Sequence, residues 1–562
     1  MNEITLQIEK ALHELYDTTN TIFLSRPDIK FGDYATNIAL QLSKVLGKNP
    51  REIAESLAEK LRQNSYFSEV SVAGPGFINI RVKARVMAED LASHWSDNYG
   101  ENQDNSGKTV VVEYPSPNMA KPYSVGHLRP GNQGWAVKRL MEANGWKVIT
   151  DDHLGDYGAP FGIWVVGFLR FSSEEALERD GVYELGRVYI ATKKALKEEK
   201  ERGESELADQ VQDWLIKLER ADETAKNYSQ RFNTISLEHI HKVMDRLKIS
   251  TDYELGEAFF APQGKDAIIK LLENGVAVKN EDNSIIVPLD EFGFDVPLLV
   301  QKSNGAALYA TSDLATILYR EENWHPDRVI YAVGSEQQFY FSQLFALAKK
   351  LGIKTELIHL WFGFIEQLND DGTREKMSSR KGVILMETLL DQAEARAQKI
   401  VEGREVSDDD VKKIALGAIK FSDFAADRRT NILFDWDSIF ALAGFSGPYV
   451  QYAAVRVNKI LRDVGDVMSS DDVYDYEAEK AVLAKILDYP EMVRLAARDL
   501  EPHKVATYLY ELARELNRYY ETTRVIDAEP VEKVARLEVL RKVSYIFTHG
   551  LGLLGIEVPS RM

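Results

Sequence analysis

The hydrophobic pattern of the chain changes period several times between residues 109 and 150. An apolar run at residues 110–112 is typical of a buried strand, and the three prolines that follow between residues 115 and 122 cannot continue a central strand or a helix interior. Apolar residues then recur at helical spacing over residues 130–144, and residues 146–150 resume a strand pattern. This order predicts a β-loop-α-β unit of a parallel sheet.

The first 100 residues have a pattern of their own. Helical periodicity covers residues 4–15 and 36–46, and Asn49-Pro50 marks the start of a third helix. Residues 70–82 alternate around a Gly-Pro-Gly turn, which predicts a strand pair. We therefore expect a small α+β domain over residues 1–100, and the polar residues 98–108 as a linker.

The rest of the chain divides into a sheet region and a helical region. Strand patterns return at residues 328–333 and 356–362, and from about residue 414 the pattern is helical almost throughout. A chain of 562 residues exceeds the ~250–300 residues at which one core stops growing. The pattern predicts a multidomain α/β fold with a Rossmann-like parallel-sheet domain over residues 109–413 and an all-α helical bundle over residues 414–562.

Residues 172–231 are dense in charge, including the run KKALKEEKERGESELADQ, and predict solvated helices. The pattern assigns them no chemistry.

Composition narrows the function. The chain has 44% hydrophobic and 28% charged residues, no apolar run of the ~18 residues that a membrane helix needs, and no signal-peptide pattern at its start, so a cytoplasmic protein without membrane contact is expected. Zero cysteines exclude disulfides and thiolate zinc sites. A net charge of −19 argues weakly against a nucleic-acid partner, which would have to meet local basic patches.

Two loops carry candidate phosphate chemistry. Gly126 and His127 follow the first predicted strand, where open α/β sheets bind ligands, and Lys121 lies close by in sequence. The segment KMSSRKG places the three cations Lys376, Arg380 and Lys381 on one short loop, which suits the binding of phosphate groups.

These stretches resemble the arginyl-tRNA synthetases, which are class I aminoacyl-tRNA synthetases. The run SPNMAKPYSVGHLR at residues 116–129 resembles their first signature, in which a His-x-Gly-His motif follows Ser-Pro-Asn-x-Ala-Lys-Pro. The run EKMSSRKG at residues 375–382 matches the class I Lys-Met-Ser loop, and GPYVQY at residues 447–452 is close to the anticodon-domain signature.

The resemblance implies a set of site residues. Arginine would be bound by Glu113, Asn118, Tyr309, Asp313 and Gln337. ATP would be bound by Gly126, His127, Lys376, Met377 and Ser378. Catalysis would rest on His127, Ser124, Lys121, Lys376, Arg380 and Lys381. The tRNA would be contacted by Phe77, Asn79, Tyr449, Tyr452, Tyr520 and Met562.

Chemistry supports part of this set, and some alternatives stay open. A guanidinium favours a fixed carboxylate beside an aromatic group, as a Tyr and an Asp four residues apart on one helix face provide. Phe77 and Asn79 could instead be a core residue and a strand-edge residue. Asp156, in a Leu-Gly-Asp loop, could point into the site or cap a helix. Core positions in the bundle are expected for three further tyrosines, Tyr508, Tyr510 and Tyr519.

The implied reaction joins ATP and L-arginine into arginyl-adenylate and pyrophosphate, and then passes arginine to the terminal ribose of tRNA. Mg²⁺ would accompany ATP, no zinc is expected, and a monomer is expected. Family members often need tRNA for the first step. The chain departs from the usual family residues at Ser124, Pro130 and Pro160.

Two other interpretations remain open. The departures from the family pattern are compatible with a catalytically weak paralogue that binds tRNA and serves regulation. Because side-chain selection rests on few residues, the same fold could also activate another amino acid.

Overall fold

The computed structural model describes residues 2–18, 20–25, 27, 30–303, 308–369, 371–377, 384–465 and 474–562. The chain forms two compact units. The first comprises Met1–Gly100, Tyr452–Met492 and Tyr508–His549, and the second comprises Glu101–Gln451, Val493–Thr507 and Gly550–Met562.

The N-terminal part has the α+β structure expected from its pattern. Its elements are α1 (Asn2–Tyr16), β1 (Leu24–Ser25), β2 (Tyr34–Thr36), α2 (Ile38–Leu46), α3 (Pro50–Arg62), β3 (Phe67–Ala73), β4 (Phe77–Val82) and α4 (Ala84–His94). The four strands form an antiparallel sheet in the order β1-β2-β4-β3. Gly76, at φ 146°, closes the β3–β4 hairpin against the carbonyl of Pro50, where a methyl group would lie 3.0 Å from the oxygen.

The second unit begins with the predicted β-loop-α-β unit and a helical insertion. Its first elements are β5 (Thr109–Glu113), α5 (Leu128–Ala143), β6 (Lys147–Asp151), α6 (Ala159–Phe171), α7 (Glu174–Asp180), α8 (Val182–Glu201), α9 (Glu206–Glu219), α10 (Glu223–Leu247) and α11 (Glu257–Glu273). Helix α5 begins two residues earlier than the pattern predicted. Pro130 does not mark its start, because a proline is tolerated in the first turn, where no backbone N–H is needed.

A second set of elements follows in the same unit. They are β7 (Val278–Lys279), β8 (Ile285–Val287), β9 (Leu298–Gln301), α12 (Tyr309–Asn323), β10 (Arg328–Tyr331), α13 (Gln338–Lys350), β11 (Glu356–His359), β12 (Ile365–Leu368), β13 (Arg374–Lys376), α14 (Met386–Ile400), α15 (Asp408–Asp423), β14 (Ile432–Leu433) and α16 (Trp436–Ile439). Two small three-stranded sheets, β7-β8-β9 and β13-β12-β14, accompany the main one.

The main sheet is parallel, with the strand order β11-β10-β5-β6. The first strand, β5, lies inside the sheet, and Val110, Val111 and Val112 are fully buried between covering helices. The carboxyl ends of β5 and β10 are adjacent, since Glu113 pairs in register with Tyr331. The loops after these two strands therefore converge, as the placement of ligand sites in open α/β sheets requires.

The inserted helices are less solvated than their charge predicted. One face of α8 buries Val182, Leu185 and Val188, and α10 buries Phe232 and other apolar residues. Long charged side chains cover the outer faces, so a high charge content conceals an apolar stripe.

The C-terminal part is helical, as predicted. Its helices are α17 (Gly447–Val464), α18 (Lys480–Asp499), α19 (His503–Thr522) and α20 (Pro530–Leu553). Among the described residues, no helix combines the length and apolar character needed to cross a membrane.

Candidate active site

A cavity of about 640 Å³ opens at the carboxyl ends of β5 and β10. Nine of the residues predicted to bind arginine or ATP line it: Glu113, Asn118, Gly126, His127, Tyr309, Asp313, Gln337, Lys376 and Met377. They come from separate strands, loops and helices between residues 113 and 377. Their convergence on one cavity supplies a common site for the two predicted ligands.

The turn before α5 holds His127 in a defined tautomer. The backbone N–H of Ser124 donates to His127 Nδ1 over 3.2 Å, and Ser124 Oγ lies 3.4 Å from the same nitrogen. A backbone amide can only donate, so Nδ1 accepts and the neutral ring carries its proton on Nε2. Burial, with a smaller contribution from the nearby charge of Lys121, lowers the pKa of His127 to about 4. The imidazole is therefore a neutral Nε2–H donor near pH 7.

The first signature is hydrogen-bonded to the segment that follows the Lys-Met-Ser loop. Val125 N donates to the carbonyl of Ile384 over 3.0 Å, and Met386 N donates to the carbonyl of Tyr123 over 3.0 Å. Of the loop itself, Lys376 and Met377 are described, whereas Ser378, Arg380 and Lys381 lie outside the described residues. Both ends of the loop are thus anchored, one on the cavity wall and one on the signature turn.

Lys376 is held at the cavity by two contacts. Its ammonium lies 2.6 Å from a carboxylate oxygen of Glu336 and 3.9 Å from the centre of the Phe364 ring. Both partners also line the cavity. An ammonium with an exposed carboxylate partner can exchange that partner for a more highly charged phosphate group at little cost.

Carboxylates dominate the opposite part of the cavity. Asp313 accepts a hydrogen bond from the Tyr340 hydroxyl and lies 3.7 Å from His153 Nε2. Burial raises the pKa of Asp313 to about 6. Burial also raises the pKa of Glu257 to about 8, with the charge of Asp313 adding to the rise. Two half-buried carboxylates that repel each other suit a bound cation.

Glu113 is fixed from behind by a buried arginine. Arg320, which is fully buried, donates to Glu113 over 2.8 Å and to Asp151 over 2.7 Å. This bridge ties the carboxyl ends of β5 and β6 together. The neighbouring loops are also joined, since Met119 N donates to Gly155 O and Gly155 N donates to Pro117 O. The cavity wall that carries Asn118 is therefore rigid.

Arginine binding at this site should strengthen as pH rises. The pKa values of about 6 for Asp313 and about 8 for Glu257 mean that both are protonated at low pH, whereas a guanidinium favours their ionised forms. We expect the dissociation constant to fall by up to about tenfold per pH unit between pH 6 and 8 and then level off. Titration calorimetry at pH 7 in two buffers of different ionisation enthalpy should show proton release on binding.

Glu257→Gln is the matched control for this pH dependence. It should remove most of the dependence between pH 7 and 8 and the proton release at pH 7. An affinity that is flat between pH 6 and 8 in the unmodified protein would contradict the assignment of the carboxylates to a cation.

Some predicted residues lie outside the cavity. Lys121 and Ser124 are absent from its described lining. Ser124 is buried and contacts the imidazole, while the Lys121 ammonium lies 5.1 Å from the centre of the Tyr189 ring. Asp156 accepts from Ala258 N over 2.8 Å in the first turn of α11. Of the two roles left open for Asp156, the contacts are those of a helix cap.

Sequence reasoning missed several lining residues. Arg129, His153, Glu257 and Glu336 line the cavity together with the aromatic residues Phe341, Phe362 and Phe364. Arg129 directly follows the signature and is only 2% exposed, with its guanidinium donating to Asp423, Gly363 O and Thr430 O. Its position beside Gly-His was a usable signal. Glu257 lies in the inserted region, where nothing in the pattern distinguished it from other charges.

The residues predicted to contact tRNA differ in exposure. Phe77 is 43% exposed at the start of β4, whereas Asn79 is buried between β2 and β3. Tyr452 is also 43% exposed, Tyr449 is half-buried and Met562 is buried.

The sequence predicts core positions for Tyr508, Tyr510 and Tyr519 and a tRNA contact for Tyr520. Tyr508 and Tyr519 are buried, and Tyr510 is half-buried. Tyr520 is half-buried, with Arg456 4.2 Å from the centre of its ring.

Three family descriptions match successive parts of the chain. Residues 2–82 match "Arginyl tRNA synthetase N terminal domain", residues 91–436 match "tRNA synthetases class I (R), catalytic domain", and residues 450–562 match "DALR anticodon binding domain".

Curated relatives and solved structures agree with these matches. The chain is 33% identical over 574 residues to an arginine–tRNA ligase of Streptococcus thermophilus, covering 100% of this chain and 99% of that protein. It is 35% identical over 545 residues to an arginine–tRNA ligase of Pediococcus pentosaceus, covering 95% and 94%. The arginyl-tRNA synthetase structure of Thermus thermophilus superimposes with a TM-score of 0.81 at 23% identity, covering 100% of both chains. That of Plasmodium falciparum gives 0.78 at 22%, covering 100% and 99%.

Proposed function

The chain belongs to the arginyl-tRNA synthetase family, and on that premise we propose that it is an arginine–tRNA ligase. It activates L-arginine with ATP and transfers the arginyl group to the 3′-terminal ribose of its tRNA. One observation carries the proposal. The same cavity is lined by carboxylates that suit a guanidinium and by a histidine and a lysine that suit phosphates.

The acidic part of the cavity is the proposed arginine site. Asp313 receives the guanidinium, with Tyr309 on the same helix face and Glu257 as a second carboxylate. Glu113, Asn118 and Gln337 line the route from this pocket to the strand ends, where the α-amino and α-carboxylate groups of arginine would lie. A planar guanidinium between fixed carboxylates is selected by charge and by geometry.

The signature turn and the Lys-Met-Ser loop form the proposed ATP site. The arginine carboxylate attacks the α-phosphorus in line, and pyrophosphate leaves. His127 donates from Nε2 to a phosphate oxygen, and Gly126 allows the phosphate to approach the backbone. Lys376 supplies positive charge, together with Arg380 and Lys381 of the same loop. Met377 and Ser378 contact the nucleotide. Mg²⁺ enters with ATP. This chemistry needs positioning and charge stabilisation, so no nucleophilic side chain is required.

Ser124 and Lys121 act from behind the cavity wall in this account. Ser124 orients the imidazole through its backbone N–H, so the usual family histidine at this position is not needed to hold the tautomer. Lys121 contributes positive potential next to His127. No zinc is proposed, which the absence of cysteine supports.

We further propose that the domains divide the work. Residues 1–100 contact the tRNA elbow through Phe77 and Asn79, residues 109–413 carry catalysis with the insertion at about 172–260, and residues 414–562 bind the anticodon through Tyr449, Tyr452, Tyr520 and Met562. The enzyme works as a cytoplasmic monomer.

A charging assay tests the proposal. Purified protein, ATP and a tRNA pool are incubated with arginine, lysine or citrulline, and esterified tRNA is measured on acid gels. Arginine alone should be attached, because citrulline has the shape of arginine without its charge, and lysine lacks the planar fork. Attachment of a different amino acid would mean that the enzyme is a tRNA ligase specific for that amino acid and not for arginine. Binding of tRNA without any charging would favour the regulatory paralogue.

The exposed ring of Tyr452 gives a prediction for anticodon binding. Tyr452→Ala should weaken tRNA binding by ~1–3 kcal/mol, since a base stacked on an aromatic ring contributes about that much. Fluorescence titration with tRNA measures the change, and Tyr452→Phe, which keeps the ring, should bind nearly as the unmodified protein does. A lowered melting temperature with unchanged tRNA affinity would instead identify Tyr452 as a packing residue.

A further inference from the structure

Asp152 directly follows β6 and contacts a residue of the cavity wall. Its side chain is fully buried, and its Oδ1 accepts a hydrogen bond from the backbone N–H of Ser116 over 2.9 Å. The other carboxyl oxygen, Oδ2, is buried without a hydrogen-bond partner among the described residues, as are the hydroxyl groups of Ser116 and Tyr123. An ionised Asp152 would therefore leave one of its charged oxygens without a donor.

The surroundings of Asp152 are acidic. Three carboxyl groups and two phenols are its titratable neighbours: Glu113 of β5, Asp151 of β6, Glu254 before α11, Tyr114 and Tyr123. The nearby cation Arg320 donates to Glu113 and Asp151, and no ion pair joins Asp152 to a cation in the part of the chain that the structure describes. Burial raises the pKa of Asp152 well above its usual range, and the three carboxylates add to the rise.

The preceding residue, Asp151, has the opposite environment. It is also fully buried, but its Oδ2 accepts from the Arg320 guanidinium over 2.7 Å and its Oδ1 accepts from Leu255 N over 3.2 Å. Each carboxyl oxygen of Asp151 thus has a donor, and one of these donors is charged, which stabilises the ionised form. Two adjacent buried carboxyl groups therefore differ in what their surroundings favour, a carboxylate at residue 151 and an uncharged acid at residue 152.

The hydrogen bond from Ser116 to Asp152 holds a strained turn of the first signature. Ser116 lines the cavity, and its φ of 54° lies in the left-handed region that favours glycine. Asn118, two residues later, forms an isolated bridge with Gly155. The loop that carries Asn118 is thus attached to residues 152–155 by backbone hydrogen bonds and by one side chain, that of Asp152.

We propose that Asp152 is a positioning residue that works as an uncharged acid, and that through Ser116 it holds the turn carrying Asn118. The inference rests on the proposed function, in which Asn118 lies on the arginine side of the cavity. An uncharged carboxyl group keeps the acceptor that Ser116 N needs. In its ionised form, the same group would become a further carboxylate beside two that share a single arginine, Arg320.

Exchange kinetics of three variants test the positioning role. Asp152→Ala leaves Ser116 N without an acceptor and should raise the KM for arginine by about tenfold, while the KM for ATP changes by less than about twofold. Asp152→Asn keeps the shape and the acceptor but cannot ionise, so it should restore the KM for arginine to within about twofold of the unmodified protein. Asp151→Asn is the matched control and should lose more activity than Asp152→Asn, because Arg320 loses an ionic partner.

Two kinetic results would overturn the proposal. A rise of more than about tenfold in the KM for arginine in Asp152→Asn would show that the charge of Asp152 is required. An equal rise in the KM values for arginine and ATP in Asp152→Ala would show a general structural role and no specific positioning of the arginine side.

Measurements without substrates test the protonation of Asp152 directly. Because its pKa is raised in the folded protein, the unfolded chain releases the proton at lower pH, and the folded state loses stability as pH rises toward the folded-state pKa. The melting temperature of Asp152→Asn minus that of the unmodified protein should therefore increase between about pH 5 and pH 8. At neutral pH, the infrared spectrum of the unmodified protein minus that of Asp152→Asn should contain the carbonyl stretch of a protonated carboxyl group.

A melting-temperature difference that does not change with pH, or an infrared difference that shows only a carboxylate, would overturn the proposal. Neither measurement needs arginine, ATP or tRNA, so both decide the protonation of Asp152 even if the proposed function fails. If the unmodified protein exchanges pyrophosphate with arginine whatever the state of Asp152, the proposed function stands independently.

Discussion

His127→Ala is expected to reduce adenylate formation by ~100- to 1000-fold, which corresponds to ~2.7–4 kcal/mol of transition-state stabilisation. His127 is the only imidazole of its signature, because Ser124 occupies the position of the usual first histidine. Its pKa of about 4 keeps the ring neutral, and the bond from Ser124 N to Nδ1 directs the Nε2 proton outward. The removal of this donor leaves the developing charge on the phosphate without a compensating group.

Arginine-dependent exchange of pyrophosphate into ATP, with saturating tRNA present, measures this effect. His127→Asn is the informative control, since its amide can donate a hydrogen bond from a shorter side chain and should retain more activity than alanine. Circular dichroism and the melting temperature should be close to those of the unmodified protein for both variants. If His127→Ala kept more than about a third of the exchange rate, the cavity would not work as a class I synthetase site.

Asp313→Asn is expected to weaken arginine binding by ~3–5 kcal/mol, because a guanidinium in the cavity would lose a desolvated ionic partner. The ATP side of the cavity lies on other elements, so the KM for ATP should change little. Steady-state exchange kinetics with arginine varied over at least three decades of concentration measure the difference between the two substrates.

Tyr340→Phe is the matched control for Asp313. It removes the hydroxyl that donates to the Asp313 carboxylate and keeps the charge. We expect a moderate loss of arginine affinity, well below that of Asp313→Asn, because the carboxylate remains ionised in the complex. A KM for arginine that moves less than about threefold in Asp313→Asn would remove Asp313 as the guanidinium partner.

The fold was largely predictable because the hydrophobic residues of its strands and helices recur with a clear period. The valine run of β5, the prolines after it and the helical spacing of α5 each agree with a single local structure, so pattern and packing coincide. The element ends were less predictable, since Pro130 is compatible with the first turn of a helix as well as with the preceding loop. The burial of one face of α8 could not be predicted from its charge-rich sequence, because a narrow apolar stripe is enough for a helix to pack against its neighbours.

The candidate site was predictable where a short motif carries the chemistry. Gly126, His127 and Lys376 could be named from two runs of sequence, and the structure brings them to one cavity. Glu257 could not be named, because its relevance depends on the approach of α11 to α12 across more than fifty residues of sequence. The hydrogen bond from Ser124 N to His127 Nδ1 could not be predicted either, because every residue except proline has a backbone N–H.

We propose that this cavity activates arginine. The most direct measurement is the exchange of labelled pyrophosphate into ATP with each of the twenty amino acids in turn, with and without tRNA. We expect exchange that depends on arginine alone and is lost in His127→Ala. Exchange driven by another amino acid, or none with arginine even when tRNA is present, would contradict the account.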